Sequence, residues 1–224
     1  MNMYTIYFAG DLFDHKHLSG NLLLAQHIET LSNGRYKCLL PQNWEGTLDN
    51  AIEIRNKDIK SIMVSDLIIL NFDGVDLDSG TVVELIIAKM LDIPAVLLRT
   101  DIRRGGYLFN NDWNLMVMGY PRCQTIVHDA LIMYNKTGLA ETHHTISQSV
   151  IKALDSIRLE ASILCSYEEV LAAYQYVIKM CGGGLEKEIS EEQLHKMIER
   201  KIQKGIYSPS ATPPKQRLTQ EKAL

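Results

Sequence analysis

The run LIILNF at residues 67–72 is apolar at every position except Asn71. A strand with one face in water alternates between polar and apolar residues; a continuous apolar run needs cover on both faces. Further strand-like runs occur at residues 3–9, 36–40 (stopped by Pro41) and 95–98. Between them lie segments of helical spacing. Residues 18–31 place Leu22, Leu23, Ile28 and Leu31 as core positions, and residues 49–64 open on an acid and repeat Ile52, Ile59, Ile62 and Met63. Residues 81–91 form a third helix. Buried strands separated by helices predict an open, doubly wound parallel α/β sheet. Residues 125–127 supply one last strand. Beyond it, residues 147–180 are helical with a break near Cys165, and the SEEQ box at 190–193 starts a helix that runs to Ile202. The division expected is an α/β domain over 1–125, a helical extension over 126–204 packed on it or at a subunit interface, and a disordered tail over 205–224.

Composition narrows the function classes. With 224 residues and a formal net charge of −4, the chain has no electrostatic reason to bind nucleic acid or an anionic membrane. No apolar run approaches the roughly 20 residues of a bilayer span, and the first residues read as a strand, not a leader. The four cysteines are scattered with no CxxC pair, which predicts free thiols in a reducing, cytoplasmic setting and no metal site. His143 and His144, adjacent and unable to converge, read as loop residues.

Open parallel sheets bind ligands beyond the carboxyl ends of their strands. Here those ends are residues 10–14, 41–46, 73–80 and 99–116. The third carries DGVDLDSGTVVEL at 73–85, with Asp73, Asp76, Asp78 and Glu84 around two glycines, an unsuitable place for a phosphate. Glu84 falls within the first turn or so of the following helix, where the helix dipole favours its carboxylate. Taken alone it is a common helix-start acid. Its company changes that: Asp78 shares the loop, Tyr7 ends the neighbouring first strand, and Asp58 stands towards the end of the preceding helix, where the dipole opposes it. A carboxylate beside a tyrosine hydroxyl suits attack on an anomeric carbon, and a second acid can protonate the leaving group.

The segments IYFAG at 6–10, NKD at 56–58, SDLIILNFDG at 65–74, DSGTVVEL at 78–85 and WNLM at 113–116 resemble the nucleoside 2-deoxyribosyltransferase family over roughly residues 3–120. The resemblance implies a flavodoxin-like fold and base exchange on a 2′-deoxyribonucleoside by a ping-pong mechanism without cofactor or metal. It implies Glu84 as nucleophile, Tyr7 as the group that tunes it, Asp78 as the acid contacting the nucleoside and Asp58 as the acid serving the base. By the same resemblance Gln42 falls near the base-recognising glutamine, Phe13 matches an aromatic that lines the pocket, and Gly10, which closes the first strand, is expected at the substrate. Asn114 and Met116 match residues that reach a neighbouring subunit's site in the family, so a homo-oligomer is implied. The partners implied are a deoxyribonucleoside and a free purine or pyrimidine base.

Two departures stand out: the DSGTVVE turn has one glycine fewer than GxGxE-like versions, and the helical extension is longer than in compact members. An N-glycosidase that hydrolyses the same bond, and a nucleoside-sensing module without chemistry, remain as alternatives. Trp44 and Trp113 suit either base stacking or loop packing. Arg99, Arg103 and Arg104, flanking Gly105 and Gly106, read as a salt-bridged or interface loop, and Asn71 and Asp73 as strand-closing residues.

Overall fold

The computed structural model describes residues 2–46, 50–103 and 114–208. Five parallel strands, β1 (Tyr4–Gly10), β2 (Tyr36–Leu39), β3 (Leu67–Asn71), β4 (Ala95–Arg99) and β5 (Cys123–Val127), lie in the order β2-β1-β3-β4-β5. This is the flavodoxin-like order, whose direction reverses between β1 and β3. The register sets Tyr7 opposite Leu39 on one side and Ile68 on the other, and Gly10 opposite Asn71. β3 and β4 are buried along nearly their whole length, as their unbroken apolar runs require.

Helices cover both faces. α1 (His15–Leu31) and α4 (Ala130–Ile157) pack together on one, while α2 (Ala51–Val64) and α3 (Ser79–Met90) cover the other. α5 (Tyr167–Cys181), α6 (Leu185–Glu188) and α7 (Glu191–Gln203) form a further layer that reaches the sheet through α3. Among the described residues no helix is long and apolar enough to cross a membrane.

Several local expectations shift. In α1 the inward face is Asn21, Leu24, Ala25 and Ile28, while Leu22 and Leu23 face outward: three successive leucines cannot share one helical face. Ile52 is likewise exposed. α2 starts at Ala51 behind an Asn50 cap, and Asp49, expected to cap it, lies outside the described residues. His143 and His144 sit on α4, not in a loop, and the His143 ring stacks on His27 of α1 at 5.6 Å. α4 begins before the expected helix and is interrupted at Gly138, whose φ of 80° is not helical.

Residues 205–208, assigned to a tail by sequence, turn back into the core. Tyr207 Oη donates to the Leu91 carbonyl at 2.6 Å, and Arg122 donates to the Ile206 carbonyl at 2.6 Å. Tyr207 and Ile206 are buried, so apolar contact and two hydrogen bonds offset the entropy of ordering them. Residues 209–224 lie outside the described residues.

The extension also grips α2. Asn56 donates to the Gly183 carbonyl at 2.9 Å and to Glu188 at 2.8 Å, and Arg55 donates to the Cys181 carbonyl at 2.8 Å. Gly183 has a φ of +64°, and a Cβ there would stand 3.2 Å from Arg55, Asn56 and Ile52, so the turn admits only glycine without strain.

Candidate active site

Tyr7 lies in the middle of β1, not at its end, and is fully buried. Its hydroxyl donates to Glu84 Oε1 at 2.5 Å. Glu84 is the sixth residue of α3, in its second turn, because Asp78 caps the helix and it starts at Ser79. Thr81, Leu85 and Ala88, which share the inward face of α3, are buried against the sheet, and Glu84 stands among them. The periodicity that buries the helix therefore carries a carboxylate inward.

Burial decides the protonation of this carboxylate. Desolvation pushes the Glu84 carboxyl up to about 8, the Tyr7 hydrogen bond opposes the rise, and the charges of Asp58, Asp78 and Glu45 add to it. The carboxylate-favouring effect expected of a helix start is overridden, since Glu84 is beyond the first turn and out of bulk water. Tyr7 is held well above the ordinary phenol range, chiefly by burial and then by the Glu84 and Asp58 charges, so it remains a donor.

Asp58 stands mid-helix on α2, so the dipole argument for it falls away. The Trp44 indole Nε1 donates to Asp58 Oδ1 at 2.8 Å. Burial raises the Asp58 carboxyl, with the hydrogen bond from Trp44 and the charge of Lys57 pulling the other way. Glu45, in the turn after the 3₁₀ segment Pro41–Asn43, is raised by burial and by the charges of Asp58 and Asp78. Asp78 accepts from Thr81 N at 2.7 Å and from Thr81 Oγ1 at 2.8 Å, both on Oδ2. One oxygen thus caps α3.

A buried tyrosine, the carboxyl it donates to and three further acids meet beside β1 and β3, at the reversal of strand order. The family model described as nucleoside 2-deoxyribosyltransferase matches residues 6–118, half of the chain. The chain belongs to the nucleoside 2-deoxyribosyltransferase family. Solved structures similar to it include a conserved protein from Enterococcus faecalis V583, at 26% identity over 61% of this chain and 99% of that one, with a TM-score of 0.48. A 2-desoxiribosyltransferase from Leishmania mexicana matches at 25% identity over 61% and 99% of the two chains, with a TM-score of 0.46. A 2-deoxyribosyltransferase from Bacillus psychrosaccharolyticus matches at 18% identity over 62% and 95%, with a TM-score of 0.43. No curated protein matches the sequence.

The deoxyribosyltransferase residues singled out by sequence divide into two groups. Tyr7, Asp58, Asp78 and Glu84 come together. Gln42 Nε2 donates to the Leu18 carbonyl at 3.1 Å. Gly10 lies against Asn71, where a Cβ would come within 3.1 Å of the Asn71 Cβ, so the close approach of β1 and β3 needs glycine. Phe13 is 78% exposed. Met116 is 68% exposed, and Asn114 spends its Oδ1 on Met116 N at 2.9 Å. Both line a cavity of about 360 Å³ with Val75, Asp76 and Arg99. Trp113, Arg104, Gly105 and Gly106 lie outside the described residues.

Other residues prove structural. Asp73 accepts from Thr100 N at 2.5 Å, Thr100 Oγ1 at 2.7 Å and Asp101 N at 2.9 Å, tying the ends of β3 and β4 together. Arg99 is buried and donates to the carbonyls of Phe72 and Arg103 at 2.7 Å, holding the loops; Arg103 pairs with Asp101. Glu45 was not legible as a site residue. The only signal was its position in the loop after β2, one of four loops at that edge of the sheet.

Proposed function

We propose that this family member exchanges the base of a 2′-deoxyribonucleoside for a free purine or pyrimidine base through a covalent deoxyribosyl-glutamate. Support comes above all from the Tyr7–Glu84 hydrogen bond within a cluster of carboxyls. Tyr7 engages Oε1 and leaves Oε2 to attack C1′ of the sugar. As the C1′–N bond breaks, its electron pair stays on the base and the Asp58 carboxyl delivers a proton to it. An incoming base then attacks C1′, the ester bond to Glu84 breaks, and the proton returns to Asp58. Two inversions give net retention. Glu84 reacts as its carboxylate, so approach of the substrate must be accompanied by loss of its proton at pH 7.

Asp78 orients the sugar with the oxygen not used in capping α3. Acids around the site favour an uncharged nucleoside over a nucleotide, whose phosphate would meet Glu45, Asp58 and Asp78. Exposed Asn114, Met116 and Phe13 suit a homo-oligomer in which a neighbouring subunit completes each site. In this reading residues 1–125 are the catalytic unit, residues 126–204 its helical extension, and the scattered cysteines suit a cytoplasmic enzyme.

The test is to incubate the protein with deoxyinosine or thymidine and free adenine or cytosine, and to separate the products. A new deoxyribonucleoside supports exchange. Base release without a new nucleoside would make the protein a hydrolase, and binding without either product would make it a sensor.

A further inference from the structure

Asp58 projects from a helix, where a carboxyl is free to rotate about its last bond and present either oxygen. The Trp44 N–H removes that freedom, at 2.8 Å from Oδ1. Indole nitrogen is a donor only, so the oxygen it meets must act as an acceptor. The carbonyl oxygen of a neutral carboxyl is the stronger acceptor, so this bond favours a proton of Asp58 on Oδ2. Trp44 is itself held on three sides. Its backbone N–H donates to the Pro41 carbonyl at 2.9 Å, its ring lies 6.5 Å from that of Tyr7 at a 39° tilt, and Lys57 Nζ stands 5.9 Å from its centroid. Apart from the Pro41 bond, these contacts join Trp44 to catalytic candidates or their helix neighbour.

We propose that Trp44 is a positioning residue for the leaving base: its indole N–H holds one oxygen of Asp58 as an acceptor and presents the other, protonated, to the base as it departs. This rests on the reading of Asp58 as the acid in base exchange. The proton moves from Asp58 Oδ2 to a ring nitrogen of a purine (or the carbonyl oxygen of a pyrimidine) while the C1′–N electron pair passes to the base. Burial shifts the Asp58 carboxyl towards its protonated form, and the Trp44 bond opposes that rise.

The experiment compares Trp44→Phe with the wild type on two substrates. Deoxyadenosine needs a proton on its leaving base; 7-methyl-deoxyguanosine carries a positive base that departs without one. The variant is expected to lose about 10- to 100-fold in kcat on deoxyadenosine, with KM moved far less, and to lose roughly tenfold less on the methylated substrate. In an Asp58→Asn background the same change should cost little more, because its route of action is gone. Equal losses on both substrates, or an undiminished loss in the Asp58→Asn background, overturn the proposal.

Carbon-13 titration of the Asp58 carboxyl gives a readout independent of turnover. Loss of the indole donor raises its pKa, and an unchanged pKa overturns the proposal. If Trp44→Phe fails to fold, benzothienylalanine at position 44 keeps the indole shape with sulfur in place of N–H and is subjected to the same measurements. A wild-type protein that acts on neither substrate removes the function reading and the catalytic part of the proposal with it, while the titration still decides the Trp44–Asp58 bond.

Discussion

The Tyr7 hydroxyl on β1 donates to Glu84 on α3 at 2.5 Å, across 77 residues of sequence. The bond spans the strand-order reversal and bears on the charge of the group proposed to attack the sugar. Because it favours the carboxylate form, it opposes burial, which has lifted the Glu84 carboxyl to about 8.

Removing the Tyr7 hydroxyl leaves burial unopposed. In Tyr7→Phe the Glu84 carboxyl should titrate at higher pH than in the wild type, and the acid limb of kcat/KM should move upward with it. At pH 7 the rate is expected to fall by roughly tenfold or more, from the worth of a hydrogen bond to a charged group. A pH profile of deoxyinosine–adenine exchange checks this; an unmoved limb would separate Tyr7 from the ionisation of Glu84.

Glu84→Ala deletes the nucleophile and should abolish exchange while leaving nucleoside binding measurable by calorimetry. Residual activity above a few per cent would assign the covalent step to another residue.

The same carboxyl makes stability depend on pH. Folded Glu84 keeps its proton up to about 8, whereas the unfolded chain releases it near 4.5, so the folded state binds more protons in that window. The stabilising effect is complete below 4.5 and is lost as pH rises through 8. Glu84→Gln, which never ionises, should therefore match the wild type near pH 4. It should exceed it on the order of a few kcal/mol by pH 8, as read from urea unfolding.

Lys201 gives the opposite slope. It is fully buried, donates to Tyr174 Oη at 2.6 Å, and desolvation lowers its pKa to about 7 against 10.5 for an ordinary lysine. Between those values the unfolded chain binds the extra proton, so its contribution to stability grows as pH rises. Lys201→Met should gain on the wild type at pH 6.5 and lose that advantage towards pH 10, a trend that melting temperatures at the two pH values will show.

Arg122 and Asp92 form a buried pair at 2.8 Å, and Asp92 also accepts from Ser162 Oγ at 3.0 Å and from Ile163 N at 2.8 Å. Arg122→Met strands the carboxylate and also frees the Ile206 carbonyl. A loss of about 3–5 kcal/mol is expected in equilibrium unfolding, with part of it restored by adding Asp92→Asn.

Much of the architecture was readable along the chain. The unbroken apolar runs of β3 and β4 and the helical spacing of α2 and α3 required a covered parallel sheet, and the order of Tyr7, Asp58, Asp78 and Glu84 pointed to its carboxyl edge. The first half of α4 was missed because Gly138 interrupts it and its apolar residues Leu131, Ile132, Tyr134 and Leu139 are exposed, not gathered on one buried face. Leu22 and Leu23 looked like core residues because hydrophobicity alone does not tell which of three adjacent leucines faces inward.

Asp73 and Glu45 show where local pattern stops. Nothing near Asp73 in sequence announces Thr100, 27 residues away, as its partner, and nothing in PQNWEG places Glu45 beside Asp58 and Asp78. Periodicity in the chain specifies which faces are apolar and hence which elements form and stack, because burial of those faces is a local property of the residues. Which side chains meet, and whether a carboxyl keeps its proton, depends on distances between remote segments and on the water they exclude. Packing therefore turned Glu84 from an ordinary helix-start acid into a carboxyl that titrates near 8, with Tyr7 and the Trp44–Asp58 pair set around it.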